Sequence, residues 1–225
     1  MYLVGKMVQK DKEEKIINNW GWFNSHLYHD FPLVVNTVNH HLQRYVFALT
    51  SMEDSCNTAL DIGCGSGYGS HILRTAILNV YGIDIDFEAI DYAKKHYPLC
   101  NFEQISLKNV LNSNKKFDFV TCFEFIEHLK KDDGFDLLMN IGNIVNKFLF
   151  ISTPVDAKLG VNPRHLSSWN EKELNDCLSK DFSNVYFFYQ DWSSGLISKV
   201  YNKGFIVCVA TKNKLKQIDR NTKVI

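Results

Sequence analysis

Apolar and polar residues along this chain fall into blocks that change period. Short apolar runs near residues 58–63, 79–84, 101–106, 117–123 and 147–152 read as buried strands. Amphipathic stretches near 67–77, 87–97 and 131–146 read as the helices between them. A further helix at 170–180 opens on Asn170, with Glu171 and Glu173 in its first turn. Alternation of this kind predicts an α/β fold with a mostly parallel sheet and helices on both faces. The end of the chain differs. Asn184 to Tyr189 and Gly204 to Ala210 read as strands with no helical pattern between them. The expectation is a seven-stranded sheet, mostly parallel, with an antiparallel C-terminal edge strand.

The first strand runs into Ala59-Leu60-Asp61-Ile62-Gly63-Cys64-Gly65-Ser66-Gly67-Tyr68-Gly69, an acid followed by glycines at alternate positions. Glycine has no Cβ and tolerates positive φ, so this turn lets the backbone pass close to a bound cofactor. A dinucleotide fingerprint, G-x-G-x-x-G, needs glycine three places after the second one. Tyr68 and Ser70 stand at those places instead, which argues against an NAD-type oxidoreductase. The second strand, Asn79 to Ile85, ends on Asp84, 23 residues after Asp61. That is close to the spacing of about 20 for a carboxylate that accepts from ribose hydroxyls. Asp86 then reads as the N-cap of the next helix, with Glu88 in its first turn. The D-x-G-x-G-x-G pattern resembles motif I of the class I S-adenosylmethionine (SAM) methyltransferases. That resemblance implies SAM as cofactor, and Asp61, Gly63, Cys64, Gly65, Gly67, Tyr68, Asp84, Ile85 and Phe123 as its candidate contacts in a Rossmann-like sheet.

Residues 8–50 read as helical and precede the first core strand. Asp11 to Lys15 starts a polar helix, Phe31-Pro32 interrupts, and Leu33 to Leu49 carries apolar residues at near-helical spacing. The section holds Trp20, Trp22, His26, His29, His40, His41, Arg44 and Tyr45. Either it caps the cofactor edge, with Trp22, His41, Arg44 and Tyr45 as acceptor contacts, or it is a packing helix. Three segments result: a helical cap over 1–50, a SAM-binding domain over 51–215 and a polar tail over 216–225.

Composition narrows the partners. With 45% hydrophobic and 22% charged residues the chain can bury a core. Formal net charge is zero, which disfavours nucleic acid and anionic membrane as partners. Six cysteines at 56, 64, 100, 122, 177 and 208 form no C-x-x-C pair, so a zinc ribbon is not expected. Met1 to Lys15 reads as no secretory leader and no run is long enough to span a membrane. The expected setting is reducing and cytoplasmic. The sequence leaves the oligomeric state open.

A second constellation follows strand four. Glu124, Glu127 and His128 fall at the carboxyl edge of the sheet, where open α/β sheets bind ligands. In a helical turn, positions i, i+3 and i+4 share one face. The next strand ends on the same edge, and its loop brings His165. Two carboxylates and two imidazoles suit magnesium, manganese or another divalent ion. Without metal, His128 or His165 could serve as general base, beside Glu124.

From Arg44 to Gln190 the chain is similar to a branch of SAM-dependent O-methyltransferases. The branch includes enzymes of ubiquinone biosynthesis, sugar and O-antigen-type methyltransferases, and enzymes that methylate the terminal ribose of small RNAs. Phe123-Glu124-Phe125-Ile126-Glu127-His128-Leu129, Ile151-Ser152-Thr153-Pro154 and Asn162-Pro163-Arg164-His165 carry the likeness. In some members E-x-x-E-H plus a later histidine hold a divalent ion, which implies Glu124, Glu127, His128 and His165 here. Many members place an acid after strand three for the adenine. Ile105-Ser106-Leu107 stands there instead, leaving Ser106 or a backbone group. The usual Pro-Gly-Gly turn before strand five is also absent. His41 to Ala48 and Gly67 to Ser70 look most like carbohydrate-pathway members, which implies a sugar or glycan acceptor with vicinal hydroxyls. A catechol-type quinone precursor, a terminal ribose, and a catalytically inactive SAM-fold scaffold are the alternatives.

Overall fold

The computed structural model describes residues 31–52, 55–155, 159 and 162–213. The expectations for Asp11 to Lys15, Trp20, Trp22, His26, His29 and the tail 216–225 lie outside the described residues. Helix α1 spans Phe31–Thr50, so Pro32 stands in its first turn, where proline's missing N–H costs nothing. Then follow β1 (Thr58–Ile62), α2 (Tyr68–Leu73), β2 (Asn79–Asp84), α3 (Phe87–His96), β3 (Asn101–Gln104), α4 (Leu107–Leu111) and β4 (Phe117–Phe123). After a 3₁₀ turn at Ile126–His128 come α5 (Lys131–Asn140), β5 (Val145–Pro154), α6 (Glu171–Leu178), β6 (Asn184–Gln190), β7 (Ile197–Ser198) and β8 (Phe205–Thr211). The expected caps are present. Asp86 accepts from the Glu88 and Ala89 amides, and Asn170 with Glu173 forms a capping box.

The strands form one sheet in the order β3-β2-β1-β4-β5-β8-β6-β7. The pairs from β3 to β5 are parallel, while β8 runs antiparallel to both β5 and β6. The sheet has eight strands where seven were expected, and the C-terminal strand is not its edge: β6 and β7 both lie outside it. The composition of β8 explains this. All seven residues of Phe205–Thr211 are buried, and such a continuous run needs cover on both sides. The half-buried β6 and the two-residue β7 take the outer positions, as short edge strands do.

A core lies on each face. Leu60, Ile62, Val120, Cys122, Leu149 and Ile151 pack with Leu137, Leu174 and Leu178 of α5 and α6. Ala59, Val80, Phe119, Phe148 and Phe150 pack with Tyr45 and Phe47 of α1 and Leu73 of α2. Phe117 joins the first core and Phe119 the second, because the β4–β5 register shifts between them. Strand order reverses between β1 and β4. Ligands of open α/β sheets bind at such a switch point, beyond the strands' carboxyl ends.

Candidate active site

A cavity of about 380 Å³ opens at that switch point, within the range for small-molecule sites. Gly63, Cys64 and Gly65 after β1, Asp84, Ile85 and Asp86 after β2, and Phe123, Glu124 and Phe125 after β4 form its floor. Helix α1 supplies a wall of His40, His41, Arg44 and Tyr45, and the far side holds His128, Arg164, Trp192 and Phe205. Helix α1 is thus part of the site as well as a packing helix.

The glycine turn is shaped by its backbone. Gly63 and Gly65 have φ of 70° and 51°, and a Cβ on Gly63 would run into the Phe125 ring. Asp84 holds the turn from the next strand. Its Oδ2 accepts from the Gly65 amide at 3.0 Å and its Oδ1 from the Asp86 amide at 3.0 Å. An ionised carboxylate has about four acceptor positions, so Asp84 keeps capacity toward the cavity. Ile85 beside it is 73% exposed, an apolar surface at the rim.

Asp61 sits beneath this turn, fully buried. Three hydroxyls donate to it: Thr121 at 2.7 Å, Ser70 at 2.8 Å and Tyr45 at 3.0 Å. Burial pushes its pKa up from 3.8 to about 6, against the opposing pull of those hydroxyls. A raised folded pKa gives stability that is fully present below the unfolded value and lost as pH rises through about 6. Asp61→Asn lacks this titration. The variant is therefore expected to gain on the native protein by up to about 3 kcal/mol between about pH 4 and about pH 7. Denaturant unfolding of both proteins at the two pH values checks this. A stability difference that stays constant would mean that the buried carboxyl is not strained.

Beyond β4 the backbone turns sharply. Glu124 adopts φ of 49°, and its amide lies 3.2 Å from the Ser152 carbonyl and 3.1 Å from Ser152 Oγ. Its Oε1 accepts from Ser152 Oγ at 2.7 Å and lies 3.4 Å from Arg44 Nη1. The 3₁₀ turn then places Glu127 inside the protein. Glu127 is fully buried, and neither carboxylate oxygen makes a well-formed hydrogen bond; the Thr153 hydroxyl, itself unpartnered, exerts only a minor pull on it. Burial, reinforced by the Glu124 charge, pushes this carboxyl well above the usual carboxylate range.

The loop after β5 is stitched onto the same turn. The Leu166 and Ser167 amides donate to the Glu127 carbonyl at 2.8 and 3.1 Å, and Ser167 Oγ donates to the Ile126 carbonyl. This brings His165 to His128, with ring centroids 5.2 Å apart. Ligand atoms of Glu127, His128 and His165 lie within 4.8 Å of one another. His128 Nδ1 faces the Arg164 carbonyl at 3.0 Å. A carbonyl only accepts, so Nδ1 carries a proton, and in the neutral imidazole Nε2 is the nitrogen left to act as a ligand or base. His165 Nε2 is buried without a partner.

Among residues singled out from sequence, Gly63, Cys64, Gly65, Tyr68, Asp84, Ile85 and Phe123 line the cavity, as do His41 and Arg44. Others are placed differently. Asp61 lies below the lining, and a Cβ on Gly67 would meet Ala93 and Phe102, not the cavity. Ser106 is the N-cap of α4 and outside the lining. Tyr45 directs its hydroxyl to Asp61, which leaves only its ring to the wall. Glu124 does not join the trio, because its left-handed backbone breaks the helical face that would have aligned it with Glu127 and His128. Sequence reasoning gave no role to Trp192, Phe205 or Gln190. They come from the last strands and their connection, where no glycine or acid pattern marks a site.

The fold and this cavity define a SAM-binding methyltransferase domain. Residues 59–147 match a family described as a methyltransferase domain. A ubiquinone biosynthesis O-methyltransferase of Haemophilus ducreyi is 28% identical over 162 residues, covering 57% of this chain and 68% of that protein. A putative methyltransferase of Invertebrate iridescent virus 6 is 38% identical over 136 residues, covering 59% of this chain but only 47% of that protein. Among solved structures, the magnesium protoporphyrin IX methyltransferase of Synechocystis with bound SAH superimposes with a TM-score of 0.63 at 16% identity, covering 90% of this chain and 93% of that one. The chain is a class I SAM-dependent methyltransferase.

Proposed function

We propose that this enzyme O-methylates a sugar or glycan at one of two neighbouring hydroxyls, with a divalent cation held by Glu127, His128 and His165. The observation that carries this reading is Glu127. A fully buried carboxylate without a well-formed hydrogen bond is costly, and two imidazoles within ligand distance suggest how a cation would relieve it. Two imidazoles with one carboxylate suit a first-row transition ion, such as zinc, iron or manganese, better than magnesium, which prefers all-oxygen ligation. A divalent cation lowers the pKa of a hydroxyl that coordinates it.

SAM supplies a methyl carbon activated by its sulfonium. The lining offers partners for the cofactor's ribose, base and carboxylate. Gly63 and Gly65 present bare backbone, Asp84 has acceptor capacity for ribose hydroxyls, and Ile85 offers an apolar face to a base. Arg44 is a fully buried cation whose Nη1 lies 3.4 Å from Glu124 Oε1 and whose Nη2 has no protein partner, a fit for the cofactor's amino-acid carboxylate. Burial, and then the Arg44 charge, lower the pKa values of His40 and His41, which favours their neutral forms. With Trp192, 41% exposed, they form an uncharged wall with aromatic surface that suits a polyol.

A catechol-type quinone precursor is the second reading, favoured by relatives named ubiquinone biosynthesis O-methyltransferase. Zero net charge weighs against an RNA end, and intact Asp84 and the glycine turn weigh against an inactive scaffold. Six free, buried cysteines fit the expected reducing compartment. Among the described residues no helix is long and apolar enough to cross a membrane. Incubation with methyl-labelled SAM, manganese and matched panels of glycans, catechols and RNA tests the proposal. Base-stable label on vicinal-diol glycans is the expected result. Label confined to catechols would establish the second reading, and label only on amines or isolated hydroxyls would overturn both.

A further inference from the structure

The side chain that fixes Arg44 comes from 146 residues away. Gln190, the last residue of β6, is fully buried. Its Oε1 accepts from Arg44 Nε at 2.7 Å. Its Nε2 donates to the His40 carbonyl at 3.0 Å and the Gly195 carbonyl at 3.0 Å, and lies 3.3 Å from Gln43 Oε1. One amide thus meets α1 at the backbone, the cation that α1 carries, and the turn leading to β7. That turn is pressed onto the helix: Gly195 has φ of 72°, and a Cβ there would collide with Gln43 and His40. Phe205 closes the other side, its ring centroid 4.2 Å from Arg44 Cζ.

We propose that Gln190 is the positioning residue that aims Arg44 at the carboxylate of the cofactor, and that it ties this aim to the acceptor-side turn carrying Trp192. The proposal rests on the reading that Arg44 receives that carboxylate. The physical case is one of constraint. A long cationic side chain has many rotamers, and a guanidinium binds a carboxylate well only when its planar fork is preset. Gln190 holds the Nε edge and Phe205 one face, while Glu124 attracts Nη1. Nη2 is left without a protein partner. Without the Gln190 oxygen, the buried Nε–H would seek another acceptor and turn the fork away from its ligand. The same amide spans His40 and Gly195, so a shift of the 191–196 turn would be felt at Arg44.

The test compares two ligands that share the nucleoside and its thioether sulfur, of which only the first carries the amino-acid end with its carboxylate: S-adenosylhomocysteine and methylthioadenosine. Calorimetry on Gln190→Met should show about tenfold weaker S-adenosylhomocysteine binding, with methylthioadenosine within about twofold of the native protein. Arg44→Met should show the same selective loss, and the double variant no further loss, since the two residues act through one contact. Should Gln190→Met not fold, Gln190→Glu replaces it. Its carboxylate would pair with Arg44 and lower the same ratio of affinities. Equal losses for both ligands in a Gln190 variant, or additive losses in the double variant, would reduce Gln190 to a packing residue and overturn the proposal. An unchanged ratio in Arg44→Met would overturn the underlying reading instead, and with it any positioning role.

Discussion

Replacing Asp84 with alanine is expected to weaken SAM binding by at least about tenfold. The side chain stands at the end of β2, at the cavity rim, already oriented by the Gly65 and Asp86 amides. Those two bonds fix its plane without exhausting its acceptor positions. A ribose hydroxyl donating to an ionised carboxylate is worth about 1.5–3 kcal/mol, so even one such bond lost exceeds tenfold. Asp84→Ala also releases the Gly65 amide, which loosens the turn that must lie against the cofactor. Asp84→Asn separates these effects, because its carbonyl oxygen can still accept from Gly65 while the charge is gone. Its loss should fall between native and alanine. Calorimetric titration with SAM measures all three, and the thermal midpoint shows whether the fold persists. Equal affinity in native protein and alanine variant would remove Asp84 from the cofactor site.

What the sequence disclosed was local. Caps announce themselves within four residues, so Asp86 and Asn170 were legible, as was the glycine turn between β1 and α2. The alternation of strands and helices gave the parallel half of the sheet. Long-range pairing was not legible. Nothing in the spacing of Phe205 to Thr211 says that this strand slides between β5 and β6, although its unbroken apolar run was a hint of a central position. The same limit applies at the site. The Glu124, Glu127 and His128 spacing suggested one helical face, but the Ser152 hydroxyl and carbonyl hold Glu124 in a left-handed turn and Arg44 attracts its side chain away. Gln190 carries no sequence signal at all. Its role depends on partners at positions 40, 44 and 195, which only the folded sheet brings together.

The largest effect is expected at the trio of Glu127, His128 and His165. If a cation belongs there, the protein without it retains a buried acid and a buried imidazole nitrogen that no well-formed hydrogen bond satisfies. Adding the ion should then stabilise the fold by mass action, about 2.7 kcal/mol at a hundredfold excess over the dissociation constant. For a domain of this size that is a rise of roughly 5–10 °C in the thermal midpoint. Manganese should produce it in the native protein, whereas Glu127→Gln and His165→Ala should not respond. Turnover should follow the same pattern, falling at least about a hundredfold in excess chelator and returning on add-back. Glu124→Gln is the internal contrast. Glu124 lies outside the trio and pairs with Arg44, so its variant should keep the thermal response to manganese whatever it does to turnover. Stability readings separate the ion's seat from its chemistry, since a histidine acting only as a base would leave the midpoint indifferent to metal. Full turnover in chelator, with no thermal response to manganese, zinc or magnesium, would end the metal reading. His128 Nε2, with its lone pair available beside the cavity, would then be the first candidate for the base.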